Sequence, residues 1–207
     1  MIPVLSQPEP ANFDAMVRRP GRNFLSRTAN PSSKEFRSNA FWKSSANDLH
    51  AAYSGVCAYS CFYMMRSGAT TDHFLPKSSY PYDAYEWSNF RLSTHRLNTA
   101  KGESTEVIDP FVVQSGWFVL KFPSCLVFPG DGVSEVVKQQ VIRTIDVLGL
   151  NRDDQLVQER CSLMVEYASG QVDLGFLARR YPFLASEIVR QGLQGRAANI
   201  FKMRHGA

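Results

Sequence analysis

Thr71-Asp72-His73-Phe74-Leu75-Pro76-Lys77 decides the reading of this chain. It is followed by Trp87-Ser88-Asn89-Phe90-Arg91-Leu92 and by His95-Arg96-Leu97-Asn98-Thr99-Ala100-Lys101-Gly102. About thirty residues thus hold a carboxylate (Asp72), an imidazole (His73), two carboxamides (Asn89 and Asn98) and an ammonium (Lys101). A carboxylate and an amide oxygen suit a hard divalent cation. A neutral imidazole can take the proton of an attacking water. Together they are an inventory for metal-assisted phosphodiester hydrolysis.

The order and spacing resemble the HNH endonucleases, the ββα-metal nucleases. Their pattern is Asp-His, then Asn followed by a hydrophobic residue, then Asn or His with a lysine three residues on. Here Asn98 lies nine residues after Asn89 and Lys101 three further. Pro76, Leu92 and Gly102 flank the set, and the likeness covers roughly residues 55–103. The resemblance implies His73 as general base, Asp72 and Asn98 as metal ligands, Asn89 as the residue tying the inter-strand loop behind the base, and Lys101 as a phosphate contact. Lys77, Arg91 and Arg96 extend the expected nucleic-acid surface. The implied cofactor is one Mg²⁺ or Mn²⁺ ion. His95, one helical turn before Asn98, competes with it as a ligand. Regular alternation along a strand would put Asp72 and His73 on opposite faces. Both can face one ion only where the strand ends.

Many members of that family carry a structural zinc held by two Cys-x-x-Cys pairs. Here Cys57 keeps the first position, but Ser60, Thr94 and Leu97 occupy the other three. A structural zinc needs a closed set of four ligands. No structural zinc is expected, and packing of Tyr59, Phe62, Tyr63, Phe90 and Leu92 should replace it. Cys57, Cys61, Cys125 and Cys161 are expected to be reduced, buried thiols.

The 207 residues carry a net charge of +4. That balance permits nucleic-acid binding without requiring it. Arg18, Arg19, Arg22, Arg27, Lys34, Arg37 and Lys43 crowd the first fifty residues. Arg179, Arg180, Arg190, Arg196, Lys202 and Arg204 crowd the last stretch. Backbone contact through the N-terminal cations, Arg18 and Arg19 among them, is expected. No run approaches the roughly eighteen apolar residues of a membrane span, and no secretory leader is evident. The expectation is a cytoplasmic protein with no membrane partner. The chain has no phosphate-binding Gly-x-x-x-x-Gly-Lys-Ser/Thr, so it is not itself a P-loop ATPase.

The expected architecture is α+β: a ββα-metal (HNH) nuclease core with an extended basic N-terminal arm and a helical C-terminal part. The arm is placed at residues 1–45, the core at 46–105, and a hairpin plus helices at 106–207. Strands are expected at 71–75 and 89–93, with a short helix from Leu97 to Lys101. Val133, Val136, Val137, Val141, Ile145 and Leu148 mark one helical face ended by Gly149. Asn151 should cap the next helix, and two shorter ones break near Pro182.

A looser likeness spans most of the chain. Pro3, Pro8-Glu9-Pro10, Phe13, and Ile145 with Leu148-Gly149-Leu150-Asn151 are similar to motifs of HNH proteins of bacterial anti-phage systems, Septu-type and retron-associated. That likeness implies a separate ATPase subunit as partner. The expected activity is hydrolysis of DNA with low sequence specificity, since no base-reading helix-turn-helix or zinc finger is present. An RNA- or tRNA-cleaving nuclease and a non-catalytic nucleic-acid-binding subunit are the rival readings.

Overall fold

The computed structural model describes residues 1–201. Lys202 and Arg204 of the basic C-terminal stretch lie outside the described residues. The chain is mixed α+β, with helices outweighing two small antiparallel sheets.

The N-terminal stretch is not an extended arm. A π-helical turn, Asp14–Arg18, runs into α1 (Arg19–Leu25), followed by α2 (Ser33–Ser38), a 3₁₀ turn (Phe41–Ser45) and α3 (Ala46–Ala52). Met1, Phe13, Val17, Leu25 and Phe36 are all buried in the main core. The Phe13 ring meets Trp87 and Phe90 edge-on, with centroids 5.5 and 5.7 Å away. Periodicity is faint here because each segment is five to seven residues long and buries only one or two side chains. Ser32 and Glu35 cap α2 reciprocally, a local signal that fixes its start.

Strand β1 (Ala69–His73) pairs with β2 (Phe90–Thr94), Thr71 opposite Leu92 and His73 opposite Phe90. Strand β1 ends two residues before the expected point. The Leu75 amide bonds to the Asn89 side chain instead of continuing the ladder. Helix α4 (His95–Lys101) follows β2 directly. It starts at His95 because the Thr94 side chain accepts from the Leu97 amide. Gly102 ends it at φ 52°, a conformation glycine tolerates.

A hairpin of β3 (Phe118–Lys121) and β4 (Leu126–Pro129) comes next, within residues 106–207, where a hairpin is expected before the helices. The rest is helical: α5 (Glu135–Leu148), α6 (Asp154–Ala168), α7 (Leu174–Arg180), α8 (Pro182–Arg190) and α9 (Ala197–Phe201). Helix α5 buries Val141, Ile145 and Leu148 and stops at left-handed Gly149, while Val136 stays exposed. Asp153, not Asn151, caps α6. Asn151 instead brackets Val127, accepting from its amide and donating to its carbonyl at 2.8 Å each.

One hydrophobic core runs from Met1 to Ala197, so the N-terminal, central and C-terminal stretches share it. The N-terminal helices reach the strand region through Tyr85, whose hydroxyl donates to the Asn39 carbonyl at 2.9 Å. Gly21 of α1 lies flat on the Tyr85 ring, and a β-carbon built there falls inside it. Gly21→Ala is therefore expected to destabilise the fold by about 1–3 kcal/mol, the cost of overpacking a rigid contact. Urea unfolding checks this, and an unchanged midpoint would show that α1 docks loosely.

Candidate functional site

The cleft at the free edge of β1 is lined by Trp42, Thr71, Asp72, His73, Pro76, Lys77, Asn98, Gly102 and Glu103, and has a volume of about 210 Å³. Strand β1 has β2 on one side only. On the other side, two side chains of α4 take the place of a neighbouring strand. Asn98 donates through Nδ2 to the Thr71 carbonyl at 3.3 Å, and Lys101 through Nζ to the His73 carbonyl at 2.9 Å. Carbonyls two residues apart on a strand face one way and lie some 6–7 Å apart. Residues three apart on a helix span a similar gap. The Asn98–Lys101 spacing thus docks α4 against the strand edge.

His73 is buried, edge-on to Trp42 (centroids 4.7 Å) and Phe90 (5.3 Å). Its Nε2 lies 2.9 Å from the Ala84 carbonyl, which can only accept. Nε2 therefore carries the proton, and Nδ1 is the basic nitrogen. Burial, then the Lys77 cation, pushes the imidazole from 6.5 down to about 3. The ring is neutral throughout the physiological range.

Asn89 sits behind this arrangement, outside the cleft lining. Its Oδ1 accepts from the Leu75 amide at 2.7 Å, and its Nδ2 donates to the Leu75 and Asp83 carbonyls at 3.0 Å each. It thereby closes the loop that carries the Ala84 carbonyl onto His73. That is positioning rather than chemistry.

Asp72 points toward Tyr59 and α4. The Tyr59 hydroxyl donates to Oδ2 and Lys101 Nζ lies 3.4 Å from Oδ1. Burial pushes the Asp72 carboxyl above its usual range, with Lys101 and Tyr59 pulling against it. Lys101 is itself fully buried. Its geometry makes it the counter-charge of Asp72 and the anchor of the strand edge, not a surface phosphate contact. The Asn98 amide nitrogen is committed to Thr71 O and to Thr70 Oγ1 (3.2 Å), which turns its carbonyl oxygen the other way.

Among the described residues no group of three or more His, Cys, Asp and Glu side chains could hold a metal ion. The cleft is lined by two carboxylates (Asp72 and Glu103) and one carboxamide (Asn98), with the buried Thr71 hydroxyl oxygen, which has no hydrogen-bond partner. This all-oxygen set fits a hard cation that keeps several of its waters, as Mg²⁺ does.

Of the expected nucleic-acid contacts, Lys77 stands at the cleft, its ammonium 5.8 Å from the Trp42 ring centre. Arg91 does not. It is buried in a bidentate pair with Asp109 (2.8 and 2.6 Å) and lies 3.5 Å from the Phe111 ring centre. A strand position beside a Phe-rich core gave it no route to solvent. Arg96 pairs with Asp153 and Gln155 on α6. Arg18 is held by Glu9 and Glu86, and Arg19 pairs with Asp14 while remaining exposed. Arg22, which pairs with Glu86, is exposed as well, as are Arg27, Lys34, Arg37 and Lys43. His95 is exposed at the start of α4, away from the cleft.

Trp42, Tyr59, Thr71 and Glu103 belong to the site but carried no signal as parts of it. Trp42 comes from a segment thirty residues upstream, and only folding brings it to His73. Tyr59, Phe62, Phe90 and Leu92 are buried and Tyr63 half-buried around the position of the absent zinc ligands. All four cysteines are free thiols; Cys161 is only half-buried. Compared with models of protein families and with curated proteins, the sequence matches none.

Proposed function

We propose that this chain is a metal-dependent endonuclease of the HNH type, hydrolysing phosphodiester bonds in DNA with little sequence specificity. The observation that carries the reading is His73. A neutral imidazole whose Nε2–H is tied to a carbonyl offers a basic Nδ1, and Asp72 and Asn98 line the same cleft. The order of β1, β2 and α4 agrees with a ββα-metal core.

In this reading His73 Nδ1 removes a proton as water attacks phosphorus. The new P–O bond forms as the bond to the 3′-oxygen breaks, and solvent protonates the leaving oxygen. Asp72 and Asn98 would hold one Mg²⁺ or Mn²⁺ ion, which when bound supplies Lewis-acid stabilisation of the charge on the phosphoryl and leaving oxygens. Lys77 attracts the phosphate, and Asn89 keeps the loop closed behind the base. Lys101 favours the ionised form of Asp72 against the burial that opposes it.

The anti-phage likeness extends the proposal to a separate ATPase subunit. Its motif residues have structural roles here: Phe13, Leu148 and Leu150 are buried and Asn151 holds β4. Pro3, Pro8 and Glu9 of the same motifs are exposed. Among the described residues, no helix is long and apolar enough to cross a membrane.

The test is a panel of plasmid, linear duplex, single-stranded DNA and tRNA with the purified chain. Cutting of DNA in Mg²⁺ or Mn²⁺, stopped by EDTA and restored by added metal, is the expected result. Cutting of tRNA alone would transfer the reading to RNA. Cutting that survives EDTA would remove the metal from it.

A further inference from the structure

We propose that the Thr71 hydroxyl is a phosphate-binding group of the His73 cleft, donating a hydrogen bond to a non-bridging oxygen of the bound phosphodiester. This rests on the nuclease reading above and names a residue that neither the motif nor its spacing marks.

The Thr71 Oγ1 is the one buried side-chain nitrogen or oxygen among the described residues with no hydrogen-bond partner. A buried hydroxyl without a partner is destabilising, and most such groups in folded proteins are paired. Valine has the same shape and suits a strand equally well, so packing does not account for a hydroxyl here. The adjacent Thr70 is the internal contrast. Its Oγ1 donates to the Ser93 carbonyl at 3.1 Å and accepts from Asn98 at 3.2 Å. One of two neighbouring threonines is satisfied by the protein, and the other, which lines the cleft, is not.

Position supports the assignment. Thr71 lies two residues before His73 and so on the same face of β1. Its backbone is fixed on both edges, by β2 and by the Asn98 amide on its carbonyl. One step of about 120° in χ1 moves Oγ1 into the place held by the methyl or by the Cβ hydrogen. Thr71 lines the cleft, so such a step can turn the hydroxyl toward a bound phosphate. Ser and Thr hydroxyls are common donors to phosphate oxygens. Lys77 at the same cleft supplies the attracting charge.

The experiment measures binding of a fluorescein-labelled single-stranded 12-mer DNA in EDTA, where no cutting occurs, by fluorescence anisotropy. Thr71→Val is expected to bind about tenfold more weakly, the worth of one hydrogen bond to a charged acceptor. Thr71→Ser should bind within about twofold of the parent, since the donor is kept. Without DNA, Thr71→Val should melt at a higher temperature than the parent, because the orphaned hydroxyl is gone. A residue with only a structural role would not couple weaker binding to higher stability. Unchanged binding by Thr71→Val while Lys77→Ala weakens it overturns the inference and leaves the nuclease reading standing. Equal weakening by valine and serine assigns Thr71 a packing role and overturns it as well. Failure of the parent chain to bind the 12-mer overturns both.

Discussion

Replacing His73 with alanine is expected to lower the rate of DNA cleavage by about a thousandfold, the usual contribution of a positioned general base. Among the described residues the ring is the only imidazole lining the cleft, with Nε2 committed to Ala84 O and Nδ1 left basic. Binding of DNA in EDTA should change little, since the imidazole is neutral. The substitution also removes a ring packed against Trp42 and Phe90 and frees the Ala84 carbonyl. A loss of about 2 kcal/mol of stability is expected with it. Cleavage is therefore compared below the melting temperature of the variant, with circular dichroism as the check on folding. A rate within tenfold of the parent would exclude His73 as the base. The pH profile is a second readout of the same residue. With its folded value near 3, His73 stays deprotonated well below its ordinary 6.5. Cleavage should show no inflection from this group near 6.5. Stability moves with the opposite partner of the equilibrium. The unfolded chain takes the proton below about 6.5 and the folded chain does not, so stability falls by roughly 1 kcal/mol per pH unit between there and about 3.

Lys101→Met is expected to be the most destabilising single change in the site, by about 3–5 kcal/mol near pH 8. The ammonium is fully buried, 3.4 Å from Asp72 Oδ1 and 2.9 Å from the His73 carbonyl. Methionine keeps the volume but leaves a buried carboxylate whose remaining donor is Tyr59. Without its counter-charge Asp72 rises further above its unfolded value. The variant is then most stable below the unfolded value, about 3.9, and loses stability as pH rises through the raised folded one. Urea unfolding should accordingly show a smaller gap to the parent at pH 5 than at pH 8. Asp72→Asn with Lys101→Met should recover most of the loss, because the uncompensated charge goes with the carboxylate. A gap independent of pH would mean that the lost stability comes from the His73 carbonyl and packing instead.

These two residues also show how far the sequence is legible. The Asp72-His73 pair, the later Asn89 and the Asn98-x-x-Lys101 step place a loop-linked pair of strands and a following helix within two residues of where they lie. They do so because each element is local, and Thr94 and Gly102 punctuate the helix by their own chemistry. The C-terminal helices were legible for the same reason. Val141, Ile145 and Leu148 repeat at helical spacing, Gly149 stops the run and Pro182 opens α8.

Sequence could not show what a charge faces. Arg91, Arg96 and Arg18 look alike as cations along a chain. Their partners Asp109, Asp153 and Glu86 lie eighteen, fifty-seven and sixty-eight positions away. Lys101 reads as a phosphate contact because nothing nearby in sequence announces Asp72 as its partner. The N-terminal stretch reads as an arm because its helices are too short to display a period.

The sequence by itself determined the elements around the candidate site, the identity of the groups it gathers and the helical C-terminal part. Those follow from short-range rules of capping, alternation and helical repeat. Only the tertiary structure decided the tautomer of His73, the burial of Lys101 and Arg91, the arrival of Trp42 and the unpartnered state of Thr71. Each depends on contacts between residues far apart in the chain. Such contacts form only when burial of the common core offsets the entropy of bringing their segments together.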